Sequence, residues 1–572
     1  MQDKLKIFQY LKEIIGQKYY ISSYYILFFM IVGMLFEILF LNNLVILLDL
    51  FTSNNDQESK SITLIKKLIG GENIELKVLA IFIASFFLKT ISNIFVSWRQ
   101  VTYLHDSELH VSKNFFKNYL NLPLIFFQRI NTANILRKLT QEIDNLKIFI
   151  FAVFTLSLEL IVLIGITLYL LNYNFLISVV SIFSFIVFAI LLNEFHKKRF
   201  LKYGKDKIVF QTKKLKTIIE GLSALREIKI RGKEEETLEN FYNNIFQLRR
   251  IGINSLMISN LTRPIFEIFL LTIICIFLTF ILINGGLTLK IIPILGLYLA
   301  ASYRLVPSLA KIVQSFQHIQ LFSPSIENLY RDKKIFDTNS EIKLSSESLI
   351  FENEIQFHDI SFSYGDEKEK KQIFKNFNFI IKKNDFLGVV GRSGSGKSTL
   401  IDILIGLYKP ETGKILVDNQ NIEKNIKGWQ SNIGCVPQEV FIFDDTLKKN
   451  IAFGINSSNI DEKRLKQSIE FSFLKEFTEN LENGLDTEIG EKGAKVSGGQ
   501  RQRIGIARAI YNNPDILIFD ESTNALDNFT EKKILNEIHL LKGKKTIILI
   551  SHKKENLKNC DKILDLDEKY IQ

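Results

Sequence analysis

The segment GRSGSGKST, Gly391–Thr399, directly follows the apolar run FLGVV and decides how the second half of this chain is interpreted. It fits the pattern G-x-x-x-x-G-K-[ST], in which a glycine-rich loop wraps backbone N–H groups around phosphates and the next helix points its N-terminus at the anion. In that pattern the lysine reaches the terminal phosphates and the following hydroxyl is offered to Mg²⁺. The order strand, loop, helix therefore predicts a nucleotide-binding site formed by Gly391, Ser393, Gly394, Ser395, Gly396, Lys397, Ser398 and Thr399.

A second segment, DILIFDES, Asp515–Ser522, lies downstream of this loop. Its apolar residues predict a buried strand that carries Asp520 and Glu521 at its carboxyl end. Asp520 is suited to hold Mg²⁺, and Glu521 is placed to polarise an attacking water. Acidic pairs at strand ends are common, but after a phosphate-binding loop this pair predicts hydrolysis of the bound nucleotide.

A third segment, VSGGQRQR, Val496–Arg503, opens a predicted helix with a Ser-Gly-Gly turn and resembles the signature motif of the ABC ATPases. The resemblance extends over essentially the whole chain. It implies that Gln438 is the Q-loop glutamine, with a catalytic role and a contact to Mg²⁺, and that His552 is the catalytic switch histidine. It also implies nucleotide contacts from an adenine-stacking tyrosine, a D-loop aspartate and the signature itself: Tyr364, Asp527, Ser497, Gly498, Gly499 and Gln500.

The chain departs from the family pattern in small ways. Val496 replaces the usual leucine of the signature, Asn524 replaces a common serine, and His552 is followed by Lys-Lys rather than Arg-Leu. None of these changes removes a catalytic group. The stretch TEIGEKG, Thr487–Gly493, resembles the exporter-specific segment that precedes the signature in this family.

The first half of the chain is rich in long apolar runs. A mean hydropathy of +0.13 coexists with 23% charged residues, which indicates that the two kinds of residue occupy different segments. A helix needs about 20 apolar residues to cross a bilayer core. Six segments qualify: Tyr24–Leu48, Val78–Trp98, Ile148–Leu171, Phe175–Leu192, Pro264–Ile283 and Ile291–Leu309.

These features predict a multi-domain membrane protein. We expect an all-α transmembrane domain of six helices at 1–325, a linker rich in Ser, Glu and Asp at 326–353, and an α/β P-loop nucleotide-binding domain of the ABC type at 354–572. The connections Arg99–Lys147 and Asn193–Arg263 are rich in Lys and Arg, which places them in the cytoplasm. An even number of spans then puts both termini on that side. The amphipathic N-terminus predicts a helix along the membrane surface rather than a cleavable signal peptide.

The long cytoplasmic connections have helical periodicity, so the spanning helices are expected to continue well below the membrane. The stretches Phe126–Leu146 and Glu220–Glu236 resemble the segments of ABC exporters that carry coupling helices. Ordinary solvated amphipathic helices are the alternative. An ATPase domain on the same chain favours the coupling interpretation.

Five ionisable side chains interrupt the apolar spans, namely Glu37, Lys89, Glu159, Glu267 and Arg304. Charge inside a membrane costs roughly 2.5–3.5 kcal/mol on insertion scales and usually faces a protein interior or a water-filled cavity. One interpretation is internal pairing, for example of Glu37 with Lys89. The other is that Lys89 and Arg304 contact substrate by receiving an anionic head group, because a guanidinium matches phosphate oxygens at two points.

The formal net charge of +11 fits either a nucleic-acid partner or a membrane protein with basic loops. The basic residues cluster at the ends of apolar runs and no nucleic-acid-binding motif is present, so no nucleic-acid partner is expected. Three scattered cysteines, Cys275, Cys435 and Cys560, form neither a metal-ligand cluster nor a disulfide framework.

A membrane domain followed by an ATPase domain on one polypeptide resembles the ABC exporters. Within them, the membrane half resembles the PglK-type flippases of lipid-linked oligosaccharides, in segments around Glu37 and Arg304. The amphipathic stretch SITLIKKLIG, Ser61–Gly70, is similar to the external helix of that flippase, although a plain surface helix fits it equally well.

The resemblance implies ATP and Mg²⁺ as cofactors and a homodimer in the bacterial cytoplasmic (inner) membrane, with the ATPase domain and both termini in the cytoplasm. The membrane lipids and an amphiphilic, lipid-linked substrate are the other implied partners. The implied function is ATP-driven flipping of a lipid-linked oligosaccharide or similar glycolipid by alternating access. Export of another lipid, a drug or a peptide is the alternative. A gated channel that uses its ABC domains as a switch is a third, which the complete catalytic set disfavours.

Overall fold

The structure is a computed structural model that describes residues 2–52, 74–171, 175–283, 291–339, 349–365, 370–490, 495–522, 527–567 and 570–571. The chain forms two compact units, Met1–Leu122 with Phe127–Glu341, and Pro123–Phe126 with Ile342–Gln572. The described residues of the first unit are helical, whereas the second unit combines helices with two β-sheets. The stretch Ser61–Gly70 lies outside the described residues.

The helices that precede residue 341 include several that are very long. Helices α3, α7, α9 and α10 contain 47, 49, 50 and 49 residues. At 1.5 Å per residue they extend about 70 Å, more than twice the roughly 30 Å core of a bilayer. Helices of this length are compatible with the predicted extension below the membrane, which stays a prediction. The helices are α1 Gln2–Ile15, α2 Gln17–Thr52, α3 Ile74–Leu120, α4 Leu124–Arg129, α5 Thr132–Arg137, a π-helical turn Lys138–Glu142, α6 Ile143–Leu171, α7 Phe175–Ser223, α8 Leu225–Arg231, α9 Glu234–Ile283 and α10 Ile291–Asn339.

Five helical segments of the described residues are long and apolar enough to cross a membrane. They contain all or most of each of the first five predicted spans. The sixth prediction, Ile291–Leu309, falls at the start of α10, where the side chains of residues 291–300 lie outside the described set. The five segments are Gln17–Leu47, Leu76–Leu120, Thr132–Leu171, Ser178–Ser223 and Glu234–Ile276.

Helix α10 contributes to two apolar clusters that hold the bundle together. One joins α2 and α6 to α10 through Leu41, Ile166 and Ala301, and the other joins α7 and α9 to α10 through Phe185 and Phe266. Both clusters lie within the long helices, so burial of their apolar faces, rather than local propensity, stabilises the arrangement.

Helices α7 and α10 approach each other closely at Gly204. A Cβ atom added there would lie 2.1 Å from the carbonyl oxygen of Leu321 and 3.3 Å from Cδ of Pro324. We therefore expect Gly204→Ala to lower stability by about 1–3 kcal/mol, because backbone must move to admit the methyl group. The melting temperature of the purified protein in detergent measures this effect.

The matched control is Gly252→Ala on α9, where an added Cβ has no described atom within 4 Å. Alanine in an open helix interior is more favourable than glycine by about 0.5–1 kcal/mol, so this variant should melt at or above the wild-type temperature. A Gly204→Ala variant that melts together with the control would contradict the close approach of α7 and α10.

The segment predicted as a linker begins as helix. Residues 326–339 form the end of α10, in which Ile326, Leu329 and Phe336 are buried. Asp332 is also buried, accepting a hydrogen bond from Tyr119 and one from Lys138 at 2.7 Å. The charged composition that suggested a linker therefore belongs to a helix held within the first unit, and the boundary between the units falls after Glu341.

The second unit contains a four-stranded antiparallel sheet, ordered β2-β1-β4-β5, and a six-stranded sheet, ordered β10-β9-β3-β8-β7-β6. The neighbours from β9 to β6 run parallel, as in P-loop domains. Strands β3, β7 and β8 are almost completely buried, which explains their continuous apolar sequences. The strands are β1 Glu354–Tyr364, β2 Lys371–Lys382, β3 Phe386–Val390, β4 Thr412–Val417, β5 Gln420–Asn421, β6 Ile433–Val436, β7 Ile516–Asp520, β8 Thr546–Ile550, β9 Lys562–Asp565 and β10 Tyr570–Ile571.

The second unit also contains short helices, some of which pack against the six-stranded sheet. Trp429 is fully buried, and its indole N–H donates to the carbonyl oxygen of Leu404 at 2.7 Å, which ties two helices together. The helices are α11 Lys397–Ile405, α12 Ile426–Gln430, α13 Leu447–Ile451, α14 Glu462–Phe471, α15 Lys475–Glu479, α16 Gly498–Tyr511 and α17 Asn528–Leu540.

Candidate functional site

The glycine-rich loop connects β3 to α11, as the sequence predicts. Gly396 has φ +102, which an L side chain rarely adopts, and an added Cβ would lie 2.6 Å from Ile373. Lys397 is buried, and its ammonium group donates to the carbonyl oxygens of Gly391 at 2.8 Å and Arg392 at 3.1 Å. The loop thus holds its lysine in place, and the N-terminus of α11 faces the turn where phosphates are expected.

The carboxyl ends of neighbouring parallel strands bring three predicted catalytic residues together. Glu521 follows β7, and its Oε1 lies 2.7 Å from Nε2 of His552, which follows β8. Nε2 of Gln438, which lies just after β6, donates to Oε2 of the same carboxylate at 3.2 Å. Glu521 also has φ +48, an unfavourable backbone conformation for this residue type. Such strain is found at functional sites when surrounding contacts enforce it.

Asp520 occupies the last position of β7, next to the glycine-rich loop. Burial raises the pKa of its carboxyl, and the neighbouring Glu521 raises it further, whereas a hydrogen bond from Ser398 and the charge of Lys397 oppose the rise. The hydroxyl of Ser398 therefore lies near the carboxylate of Asp520. Hydroxyl and carboxylate oxygens are the ligands that Mg²⁺ prefers, so these two residues fit the predicted metal role.

Asp402 is a further acidic residue near Asp520 that the sequence did not single out. Burial and the charge of Asp520 raise the pKa of Asp402 to about 6. The same surroundings raise the pKa of the Cys435 thiol to about 12, mainly through burial. Asp402 lies on α11 and Asp520 on β7, so only the packing of this helix on the sheet reveals that they are close.

Tyr364 combines packing with a contact to the glycine-rich loop. Its ring meets Phe362 edge-on, with centroids 5.1 Å apart, and its hydroxyl shares a hydrogen bond of 2.9 Å with the hydroxyl of Thr399. The tyrosine is therefore anchored at the start of α11. Adenine stacking by its ring remains a prediction.

The signature residues form the N-terminus of α16 through reciprocal hydrogen bonds. Ser497 Oγ accepts from the backbone N–H of Gln500 at 3.2 Å, and Gln500 Oε1 accepts from the backbone N–H of Ser497 at 2.8 Å. This capping box leaves Gly498 and Gly499 in the first turn of a 14-residue helix, a site suited to an anion.

Asp527 caps a neighbouring helix. Its carboxylate accepts from the backbone N–H groups of Phe529 at 3.1 Å and Thr530 at 2.9 Å, at the N-terminus of α17. These hydrogen bonds, that from Thr530 first, lower the pKa of Asp527. The rest of the predicted D-loop, residues 524–526, and residues 491–493 of the exporter-specific segment lie outside the described residues.

Four of the five predicted intramembrane charges, namely Glu37, Lys89, Glu159 and Arg304, form one cluster around two buried carboxylates. Glu37 accepts from Lys89 at 2.9 Å and from Arg304 at 2.8 Å. Glu159 accepts from Arg304 at 3.2 Å and from Lys311 at 2.8 Å. The expected Glu37–Lys89 pair is therefore present, and Lys311 is a member that the sequence did not single out. Glu267 pairs elsewhere, with Arg263 at 2.8 Å.

Comparison with protein families agrees with this architecture. The family profile of the ABC transporter transmembrane region matches residues 23–304, and the ABC transporter profile matches residues 374–524. Together the two profiles match more than half of the chain, and they occur in the order found in the structure.

Individual relatives have the same organisation. The ATP-dependent lipid A-core flippase of Francisella tularensis is 28% identical over 466 residues, which are 80% of this chain and 74% of the flippase. A multidrug resistance ABC transporter ATP-binding and permease protein of Lactococcus lactis is 30% identical over 357 residues, 62% of this chain and 59% of that protein. A bacterial Atm1-family ABC exporter solved with ATP bound has a TM-score of 0.75 at 22% identity, covering 94% of this chain and 93% of that one.

The fold, the assembled hydrolysis site and these comparisons define a membrane transporter that hydrolyses ATP. More specifically, the chain belongs to the ABC transporters and is an ABC exporter half-transporter, with one membrane domain followed by one ATPase domain. Half-transporters of this class generally function as dimers.

Proposed function

We propose that this chain works as a homodimer in the bacterial cytoplasmic membrane and moves a lipid-linked oligosaccharide, or a similar amphiphilic glycolipid, across it by alternating access. The observation that supports ATP hydrolysis by this site is the position of the Glu521 carboxylate, which contacts His552 at 2.7 Å and Gln438 at 3.2 Å. The basic connections Arg99–Lys147 and Asn193–Arg263 support a cytoplasmic ATPase domain and cytoplasmic termini.

In the proposed mechanism, the glycine-rich loop and Lys397 bind the phosphates of ATP. Glu521 polarises the attacking water, and His552 orients the Glu521 carboxylate. Ser398, Asp520 and Gln438 would hold Mg²⁺, which neutralises negative charge on the phosphates when it is bound.

Dimerisation follows from the division of the nucleotide site. Ser497, Gly498 and Gly499 of one protomer are proposed to contact the nucleotide on the glycine-rich loop of the other, with Gln500 and Asp527 nearby. Because each chain carries one loop and one signature, a homodimer has two equivalent, complete sites. Closure around ATP favours one arrangement of the membrane helices and hydrolysis releases it, which is a shift of population by a ligand.

The buried ion cluster supports an anionic head group on the substrate. The two carboxylates are nearly inaccessible, with Glu37 and Glu159 side chains 3% and 1% exposed, whereas Lys89, Arg304 and Lys311 are 20%, 24% and 52% exposed. The acids therefore orient the basic groups and reduce the cost of their burial, while the basic groups keep accessible N–H donors. A diphosphate head group matches such donors, most of all at Arg304.

Export of a different amphiphile is the second candidate. Relatives at 28–30% identity include a lipid A-core flippase and a multidrug resistance transporter, so the same architecture is associated with other cargoes. The discriminating experiment measures ATPase stimulation of the chain in lipid nanodiscs by a polyprenyl-diphosphate-linked oligosaccharide, by lipid A-core and by a panel of drugs. Saturable stimulation by the oligosaccharide alone supports the proposal, and stimulation by another compound alone contradicts it.

Replacement of Arg304 should weaken recognition of the diphosphate lipid. A hydrogen bond to a charged group contributes about 1.5–3 kcal/mol, so Arg304→Gln should raise the half-stimulating concentration by roughly 10–100-fold. Arg304→Lys keeps the charge and should give an intermediate value, because it loses the two-point geometry. The half-stimulating concentration is read from the ratio of stimulated to basal ATPase over a titration of the lipid. Use of the ratio corrects for loss of folded protein.

The control for this prediction is Arg263→Gln. Arg263 pairs with Glu267 at 2.8 Å in an exposed position outside the cluster, so its replacement should leave stimulation unchanged. Equal stimulation of wild type and Arg304→Gln would restrict Arg304 to a structural role.

A further inference from the structure

The two lysines that follow His552 are the clearest departure from the family pattern, and the first of them has a defined contact. Lys553 Nζ lies 2.6 Å from Oε2 of Glu531. The other oxygen of this carboxylate, Oε1, accepts from Nδ2 of Asn556 at 3.1 Å. Glu531 is 5% exposed and lies one turn into α17, just after Asp527. A buried carboxylate on α17 thus binds two residues of the segment that follows β8.

The same segment is also held at its start. The hydroxyl of Ser551, which is buried, accepts from the backbone N–H of Lys553 at 3.1 Å and from Nδ2 of Asn556 at 3.4 Å. His552 therefore lies between two anchored residues. Glu531 contacts Lys553 directly and is connected to Ser551 by Asn556, which donates to both residues. One carboxylate therefore constrains the residues on both sides of the histidine.

The position of His552 matters because of what it contacts. Its Nε2 lies 2.7 Å from Oε1 of Glu521, and the backbone N–H of Glu521 donates to the carbonyl oxygen of Ile550 at 3.2 Å. The end of β8 and the loop after it thus fix both the backbone and the carboxylate of Glu521. A displacement of about 1 Å at a reacting group lowers rates by as much as 100-fold.

We propose that Glu531 and Lys553 are positioning residues for ATP hydrolysis, which hold His552 against Glu521 and connect the catalytic histidine to α17. This inference rests on the proposed catalytic roles of Glu521 and His552. Because Asp527 caps α17 one turn before Glu531, the pair also connects the D-loop aspartate to the catalytic carboxylate within one protomer. A change at the N-terminus of α17 is therefore transmitted to Glu521 through a chain of short polar contacts.

The test compares Lys553→Met with a control variant that removes another ion pair of the same domain. Lys553 is half exposed, so its replacement is compatible with folding. Lys542, just after α17, forms a 2.6 Å pair with Asp561 and donates to the carbonyl oxygen of Asn559, away from the catalytic loop. Lys542→Met removes a pair of the same length from a lysine of similar exposure, although its carboxylate partner Asp561 is more exposed than Glu531. The full-length protein in nanodiscs is used for every variant.

We expect Lys553→Met to lower kcat about 10-fold or more, with the KM for ATP within about twofold of wild type. Lys553→Arg preserves the charge and should restore kcat to within about threefold. Lys542→Met should leave kcat within about twofold. In the Lys553→Met background, Glu531→Gln should add little to the loss, because both changes remove the same ion pair.

Two outcomes would overturn the inference. Wild-type kcat in Lys553→Met would remove the pair from catalysis, and an equal fall of kcat in Lys553→Met and Lys542→Met would reduce it to general stabilisation. His552→Ala, measured beside them, separates this failure from that of the proposed mechanism. If His552→Ala keeps wild-type turnover, the proposed role of His552 itself is wrong. If His552→Ala loses turnover and Lys553→Met does not, only the proposed role of the Glu531–Lys553 pair is wrong.

Discussion

The variant Glu521→Gln is expected to hydrolyse ATP at least about 100-fold more slowly than wild type, since positioned general bases contribute about 10²–10⁴-fold. The amide has nearly the shape of the carboxylate and can still accept a hydrogen bond, so the contacts to His552 and Gln438 need little rearrangement. It lacks the negative charge that polarises a water. The loop that binds phosphate, with Lys397, is untouched, so ATP binding should remain.

The measurement combines steady-state ATPase rates with ATP affinity from a fluorescent-nucleotide titration. Size-exclusion chromatography with and without ATP adds a readout of dimer closure, which should persist in the variant because closure requires binding and not turnover. Glu482→Gln is the control, since Glu482 is exposed and lies outside the site. Wild-type turnover by Glu521→Gln would remove Glu521 from the catalytic role, and loss of ATP binding would show that the change disturbs the loop instead.

The residues of the candidate hydrolysis site could be singled out from the sequence because their motifs are local. The loop ending at Lys397, the strand ending at Asp520 and the strand preceding His552 each carry their own signal. Parallel strands then bring those ends to one edge of the sheet, as β3, β7 and β8 do. Asp402 and Glu531 carry no such signal. Each lies on a helix surface, and only the packing of α11 and α17 brings it close to the catalytic residues.

The membrane half was predictable in outline but not in its polar contacts. Long apolar runs indicated the spans. The cost of buried charge left two interpretations open, and the pair given as an example of internal pairing, Glu37 with Lys89, is present. Lys311 was not singled out, because it lies beyond the apolar part of its span. The segment around Asp332 was misinterpreted as linker for a similar reason, since its charges suggest solvent until Tyr119 on α3 is seen to contact it.

The largest stability effect is expected at a second buried ion pair, which the sequence did not indicate. Arg137, at the end of α5, contacts Glu142 across the π-helical turn, with side chains 3% and 0% exposed. Asn328 on α10 donates to the same carboxylate at 2.9 Å. Removing one partner of a buried pair costs about 3–5 kcal/mol, because the other charge is left uncompensated. Arg137→Met and Glu142→Leu should therefore each lower the melting temperature in detergent by about 10 °C.

The double variant Arg137→Met with Glu142→Leu distinguishes an ion pair from simple packing. Replacing both members of a buried pair by apolar residues is often neutral or stabilising by about 1–4 kcal/mol, so the double variant should melt well above either single variant. Within the described residues, Nε of Arg137 and Oε2 of Glu142 have no hydrogen-bond partner, which adds to the cost that the apolar pair avoids. Glu236→Ala, which breaks an exposed pair with Lys233, is the control and should shift melting by about 1 °C or less. If the two single losses simply add in the double variant, Arg137 and Glu142 stabilise the first unit independently. The ion pair across the π-helical turn then does not account for the stability lost in the single variants.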